Sequence, residues 1–148
     1  PNIVPISWLL QQQPPLSNKV TLDIITPMRL INNGKPLFRM SYNVFFAALQ
    51  RRINQLAIAH GGIELDSDEE LNTLAATIEC CDKLLHWQDW RRLEQGHKGQ
   101  GIGGLTGMFT LSGDALADIW WILELGALLH VGKGGSYGFG RFRLLQNA

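Results

Sequence analysis

LTGMFTLSGDALADIWWILELGALLHVGKGGSYGFGRFRLL, residues 105–145, reads as a strand, a helix, a glycine-rich loop and a second strand. Leu105, Phe109 and Leu111 alternate with Thr106, Met108 and Thr110, the period of a strand with one apolar face. Ser112-Gly113-Asp114 turns the chain, and Asp114 is expected to cap the helix that follows. Leu116, Ile119, Trp120, Leu123 and Leu128 then recur on one side, as a packed helix requires. The loop runs from Gly132 to Gly140. After it, Arg141 and Arg143 share one face of the final strand and Phe142 and Leu144 share the other.

Upstream, Val20, Leu22 and Ile24 alternate with polar partners, predicting a half-buried strand whose regular pairing ends at Thr26-Pro27. Asn33-Gly34 is a turn signal. Ser41 is placed to cap a helix carrying Phe45, Leu49, Ile53 and Leu56, which His60-Gly61-Gly62 ends. A short helix is expected after Ser67, where Ser67-x-x-Glu70 has the capping-box form. Residues 78–92 read as a long, irregular strand. The order strand, helix, strand, strand, helix, strand is that of an α+β, ferredoxin-like βαββαβ domain, with the glycine-rich loop between last helix and last strand. Such a sheet keeps its helices on one face, and many nucleic-acid binders use the open face or its edges. Residues 1–18, PNIVPISWLLQQQPPLSN, hold four of the six prolines and a glutamine run, so they are expected to form a linker or N-terminal arm ahead of a domain over 19–148. The chain begins with Pro1, which points either to processing or to a piece of something longer.

A chain of 148 residues that is 45% hydrophobic can bury one real core. No apolar run approaches the ~20 residues that span a bilayer, and no cleavable signal is visible, so the cytoplasm is the expected compartment. Net charge is zero, but the charges are blocked. Residues 1–63 carry six Lys/Arg against Asp23, residues 64–90 carry eight acids against Lys83, and no acid follows Glu124. A neutral total can therefore hide a basic face of the kind a nucleic acid needs. The adjacent Cys80 and Cys81 point to opposite sides of a strand and read as reduced thiols. No histidine or cysteine spacing suits a metal, and no metal or cofactor is expected.

Thirteen of the sixteen glycines fall between Gly96 and Gly140, in two clusters: GHKGQGIGGLTG before a strand and GKGGSYGFG before the last one. Glycine permits positive φ, and successive free N–H groups in such loops form nests for phosphate oxygens. Gly99-x-Gly101-x-x-Gly104 matches a dinucleotide fingerprint in letters, but a strand follows it where a helix should. Gly132-Lys133 fails as a P-loop: Gly126 lies one residue too far upstream and Gly134 replaces the metal-binding Ser/Thr. With Lys98, Lys133, Arg141 and Arg143 beside the clusters, two readings stay open: tight turns that join helix to strand, and a cradle for nucleic-acid phosphate.

The stretch LGALLHVGKGGSYGFGRFRLL, Leu125 to Leu145, closely resembles the closing signature of CRISPR repeat-RNA processing endoribonucleases of the RAMP superfamily. The family loop has Gly-apolar-Gly, five residues with a basic one, then Gly-apolar-Gly. Here Val131-Gly132, Lys133 to Tyr137 and Gly138-Phe139-Gly140 follow it, with His130 in place of the opening glycine. ITPMRL (25–30), Arg51-Arg52, WQDWRR (87–92) and GIGGLTGMFTLSGD (101–114) also look like the family's second domain. The resemblance implies the second of two tandem ferredoxin-like domains. It also implies metal-independent cleavage of precursor repeat RNA by attack of the 2′-hydroxyl. CRISPR repeat RNA is the implied partner, with other effector subunits or a second copy as further ones. Gly132, Lys133, Gly134, Gly135, Ser136, Tyr137, Gly138, Gly140, Arg141 and Arg143, joined by Lys98, Arg91 and Arg92, are the expected RNA-binding residues. The catalytic base is expected outside this chain, with His97 and His130 the candidates within it. His60 and His86 read as structural; at most one of Arg51 and Arg52 is expected to face RNA, the other pairing with the acidic segment. Two alternatives stay open: a non-catalytic RAMP subunit that binds guide RNA, and a ferredoxin-like module that binds a small metabolite.

Overall fold

The computed structural model describes residues 17–61, 69–90, 102–135 and 138–146. Strand β1 (Lys19–Met28) is followed by a small hairpin, β2 (Ile31–Asn32) and β3 (Lys35–Pro36). Helices α1 (Tyr42–Gly61) and α2 (Glu69–Ala75) lead to β4 (Glu79–Trp90) and β5 (Ile102–Ser112), and α3 (Leu116–Leu129) leads to β6 (Phe142–Gln146). The main sheet has the order β4-β5-β1-β6 with antiparallel neighbours throughout. Counting only its four strands, that order is the ferredoxin-like one, with β1 and β5 central and β4 and β6 at the edges. In the β2–β3 hairpin, Asn33 (φ 52) and Gly34 (φ 76) form the turn that the sequence marks.

The core lies between the sheet and the helices α1 and α3. Val20, Leu22 and Ile24 of β1 face Leu111, Phe109 and Gly107 of β5 in register, and the larger of these side chains are buried. Phe45 of α1 meets the rings of Phe109 and Phe142 edge-on, with centroids 5.4 and 5.7 Å apart. Such pairs contribute about 0.5–1.5 kcal/mol each beyond their buried area, and these two tie α1 to both β5 and β6. Gly126 lets α3 approach α1 closely: a Cβ there would run into the Leu49 side chain and come within 3.3 Å of the Phe142 ring.

Some local expectations change. Asp114 does not cap α3. Ala115 occupies the cap position without a side-chain bond, and the backbone turns there through Leu116 N–H donating to the Gly113 carbonyl at 3.2 Å. Leu128 does not share the packed face of α3; it is 57% exposed, while Ile122 and Gly126 are buried. The regular pairing of β1 does end at Thr26-Pro27, where the strand bulges before it resumes at Met28 opposite Leu105. The irregularity of β4 is a register shift between Cys81 and Leu84, with Asp82 at φ 49.

Candidate nucleic-acid interface

The end of β1 anchors the glycine-rich loop. The N–H groups of Ile25 and Thr26 both donate to the Arg141 carbonyl, at 2.9 and 3.3 Å, which makes a β-bulge. The bulge turns the Thr26 hydroxyl onto the loop, where it donates to the Gly138 carbonyl at 2.7 Å and accepts from the Arg141 N–H at 3.0 Å. The Pro27 and Arg29 carbonyls accept from the N–H groups of Gly140 and Lys133, both at 2.9 Å. Within the loop, Val131 N–H donates to the Gly140 carbonyl at 3.0 Å. Proline has no N–H to waste at such an irregular strand position.

Glycine is required where the loop crosses these carbonyls. Gly140 (φ 78) lies against the Val131 carbonyl and Gly132 (φ 94) against the Arg29 carbonyl, so any Cβ would collide with backbone. His130 stands at the C-cap of α3 with φ 62 and ψ 139, a conformation that glycine adopts far more readily than a residue with a side chain.

The loop's hydrogen-bonding capacity divides in two. The amides of Val131, Lys133, Gly138, Phe139, Gly140 and Arg141 are spent on internal bonds. Among the described residues, the amides of Gly132, Gly134 and Gly135 have no partner. Lys133 and Arg141 are exposed, and neither has a carboxylate within 4.0 Å among the described residues. Arg143 is also exposed, but its guanidinium is held by Asp23 on β1 at 2.9 Å. Arg52 reaches from α1 to donate from Nε to the Leu129 carbonyl at 3.2 Å, which covers an orphan carbonyl at the end of α3. Its guanidinium also lies close to Gly135, where an added Cβ would come within 3.8 Å of it. A cationic rim therefore surrounds a short run of free amides, an arrangement that can hold phosphate oxygens.

The structure brings together Gly132, Lys133, Gly134, Gly135, Gly138, Gly140, Arg141 and His130 at this loop, with Arg143 alongside. Ser136, Tyr137, Arg91, Arg92, His97 and Lys98 lie outside the described residues. His86 sits across β5, its Nε2 2.9 Å from the Thr106 hydroxyl, a structural contact. Trp87 packs on Phe38 with centroids 4.4 Å apart, and its indole N–H donates to Asp89. Burial pushes the Cys80 thiol up, with Lys83 opposing. Among the described residues no His, Cys, Asp or Glu cluster could hold a metal ion, and no helix is long and apolar enough to cross a membrane.

Sequence reasoning passed over Thr26 and Arg29 as anchors of the loop. The one available signal was the irregular Thr-Pro pair at the end of an otherwise regular strand. Of the adjacent arginines, Arg52 turns toward the loop and Arg51 stays exposed on α1.

The family model for the CRISPR-associated endoribonuclease Cas6 matches residues 22–142. Among solved structures, the chain is similar to Thermus thermophilus Cas6 (TTHB231) at 20% identity and a TM-score of 0.68, covering 96% of this chain and 58% of that one. It is similar to a Cas6 (TTHA0078) product complex at 17% identity and a TM-score of 0.68, covering 97% and 57%. A partial Cas6-RT-Cas1–Cas2 complex gives 18% identity and a TM-score of 0.68, covering 96% and 25%. These likenesses show the fold, and the chain spans a little over half the length of the two Cas6 proteins. No curated protein matches the chain.

Proposed function

The chain belongs to the CRISPR-associated endoribonuclease Cas6 family, and from that premise we propose that it is the RNA-gripping part of a cytoplasmic enzyme that cuts precursor CRISPR repeat RNA. Residues 19–148 act as the second of two ferredoxin-like domains, and residues 1–18 as the connection to the first. The cut needs no metal. The 2′-hydroxyl attacks the adjacent phosphate, a general base takes its proton, and an acid protonates the departing oxygen, leaving a cyclic phosphate. The base comes from outside this chain. His97 and His130 are the candidates within it.

One observation carries the reading: the amides of Gly132, Gly134 and Gly135, without partners among the described residues, lie beside the exposed Lys133 and Arg141, which have no carboxylate within 4.0 Å among them. The amides take phosphate oxygens, and the two cations neutralise the strand as it passes. Relatives of the same fold include a product complex and a substrate mimic complex of Cas6 (TTHA0078), which supports an RNA partner. The Cas6-RT-Cas1–Cas2 assembly supports CRISPR proteins as further partners.

The test is binding of a repeat hairpin and a scrambled control across salt. Lys133→Ala and Arg141→Ala should each weaken hairpin binding by about 1 kcal/mol or more and flatten the salt dependence, with folding intact. Unchanged affinity in both variants would remove the loop from the interface.

A further inference from the structure

Among the described residues, strand β6 is at the end of the sheet, and one of its edges has no neighbouring strand. A cavity of about 380 Å³ opens along that edge, between β6 and α3. The Ile25 N–H bond to the Arg141 carbonyl fixes the phase of the ladder. Arg143 and Leu145 therefore turn their backbone groups to β1, while Phe142, Leu144 and Gln146 turn theirs outward, and these same three residues line the cavity.

The charged groups of this cavity are Glu124 on α3 and, on the strand, Arg141 and Arg143. Burial pushes the Glu124 carboxyl up, and the indole N–H of Trp120, one turn earlier, is near enough to oppose that. The N–H itself is buried without a partner of full hydrogen-bond geometry, on a residue that is 2% exposed and also lines the cavity. Glu124 is thus a half-buried acceptor with unfilled lone pairs, in a cavity that the outward backbone groups of β6 also line. Arg141 directly follows Gly140, so the cavity continues the interface proposed above.

We propose that this cavity holds an unpaired guanine of the bound RNA, which donates its N1–H and 2-amino hydrogens to the Glu124 carboxylate. The inference rests on the RNA-binding reading. Guanine alone among the four bases presents two adjacent, parallel donors on its pairing edge, the geometry a carboxylate accepts. Adenine and cytosine place an acceptor beside their amino group, and uracil flanks its one N–H with carbonyls, so each would turn a lone pair toward the carboxylate. A phosphate is excluded from the same position by charge. Outward N–H groups on β6 supply a donor for O6, and Arg141 takes the phosphate that joins this nucleotide to the loop.

The experiment measures fluorescence anisotropy of the 148-residue chain with the RNA pentamers UUGUU, UUAUU, UUUUU and a UUGUU analogue carrying inosine for guanosine. The expected result is UUGUU binding about ten-fold or more tightly than the adenine and inosine forms. Glu124→Gln should erase that preference, so that UUGUU binds no more tightly than UUAUU or the inosine form, while UUUUU is still bound. Equal binding of all pentamers, or a guanine preference that survives Glu124→Gln, overturns the proposal. An edge built to receive a peptide strand would give that same flat result. Loss of hairpin binding as well would instead fell the RNA reading on which the proposal stands.

Discussion

Gly140 and Gly138 are a matched pair for measuring how tightly the loop is seated. Both have positive φ, 78 and 88, so alanine at either position bears the left-handed penalty of about 1–2 kcal/mol. They differ in surroundings. A Cβ at Gly138 has nothing within 4 Å, whereas one at Gly140 meets the backbone of Val131. Relief at Gly140 requires the loop to lift, breaking Val131 N–H to Gly140 and Gly140 N–H to Pro27, each worth about 0.5–1.5 kcal/mol. Gly140→Ala should therefore cost about 2–5 kcal/mol and Gly138→Ala about 1–2. Urea unfolding followed by circular dichroism reads the difference as a shift in midpoint at constant slope. Gly140→Ala should also weaken repeat-hairpin binding, since the amides of Gly132 to Gly135 move with the seat. Equal stability costs for the two variants would refute the claim that backbone contact, and not φ alone, fixes the loop.

Two further outcomes follow from the charges. Asp23→Asn releases Arg143, so RNA should bind more tightly at low salt and the salt slope should steepen by about one phosphate contact, roughly 0.7 for a single strand. The stability cost of losing that exposed pair should stay under about 1 kcal/mol, and an unchanged affinity and slope would remove Arg143 from the interface. The raised Glu124 carboxyl means the folded chain holds that proton more tightly than the unfolded one, so its contribution to stability falls as pH rises through and above 4.5. The stability of Glu124→Gln relative to the parent should therefore grow from acid toward neutral pH in paired urea titrations. A constant or shrinking gap would contradict burial as the cause.

The architecture was legible because each element carried its own period or stop signal. Val20, Leu22 and Ile24 alternate, Phe45, Leu49 and Ile53 recur at helical spacing, and Asn33-Gly34 turns. These are local signals, and the sheet order follows once the strands and helices are placed. What stayed hidden depends on contacts far apart in sequence. No local pattern says that Thr26 will bond across to residues 138 and 141, or that Arg52 will close the end of α3. Asp114 has the chemistry of a cap and lost the position to Ala115 because the chain turned one residue later. Leu128 fitted the apolar stripe by type, but the stripe rotates as the helix advances and Gly126 takes the contact with α1. The loop itself was recognisable by glycine and charge, while the division of its amides into spent and free was not.

The stitching of that loop to Thr26, Pro27 and Arg29 has a kinetic consequence. A recognition segment already held in its working shape loses little configurational freedom when a partner arrives, so association does not wait for it to fold. Weakening the anchors then lengthens the search for the productive shape, and the defect would surface as slower capture before any loss in residence time.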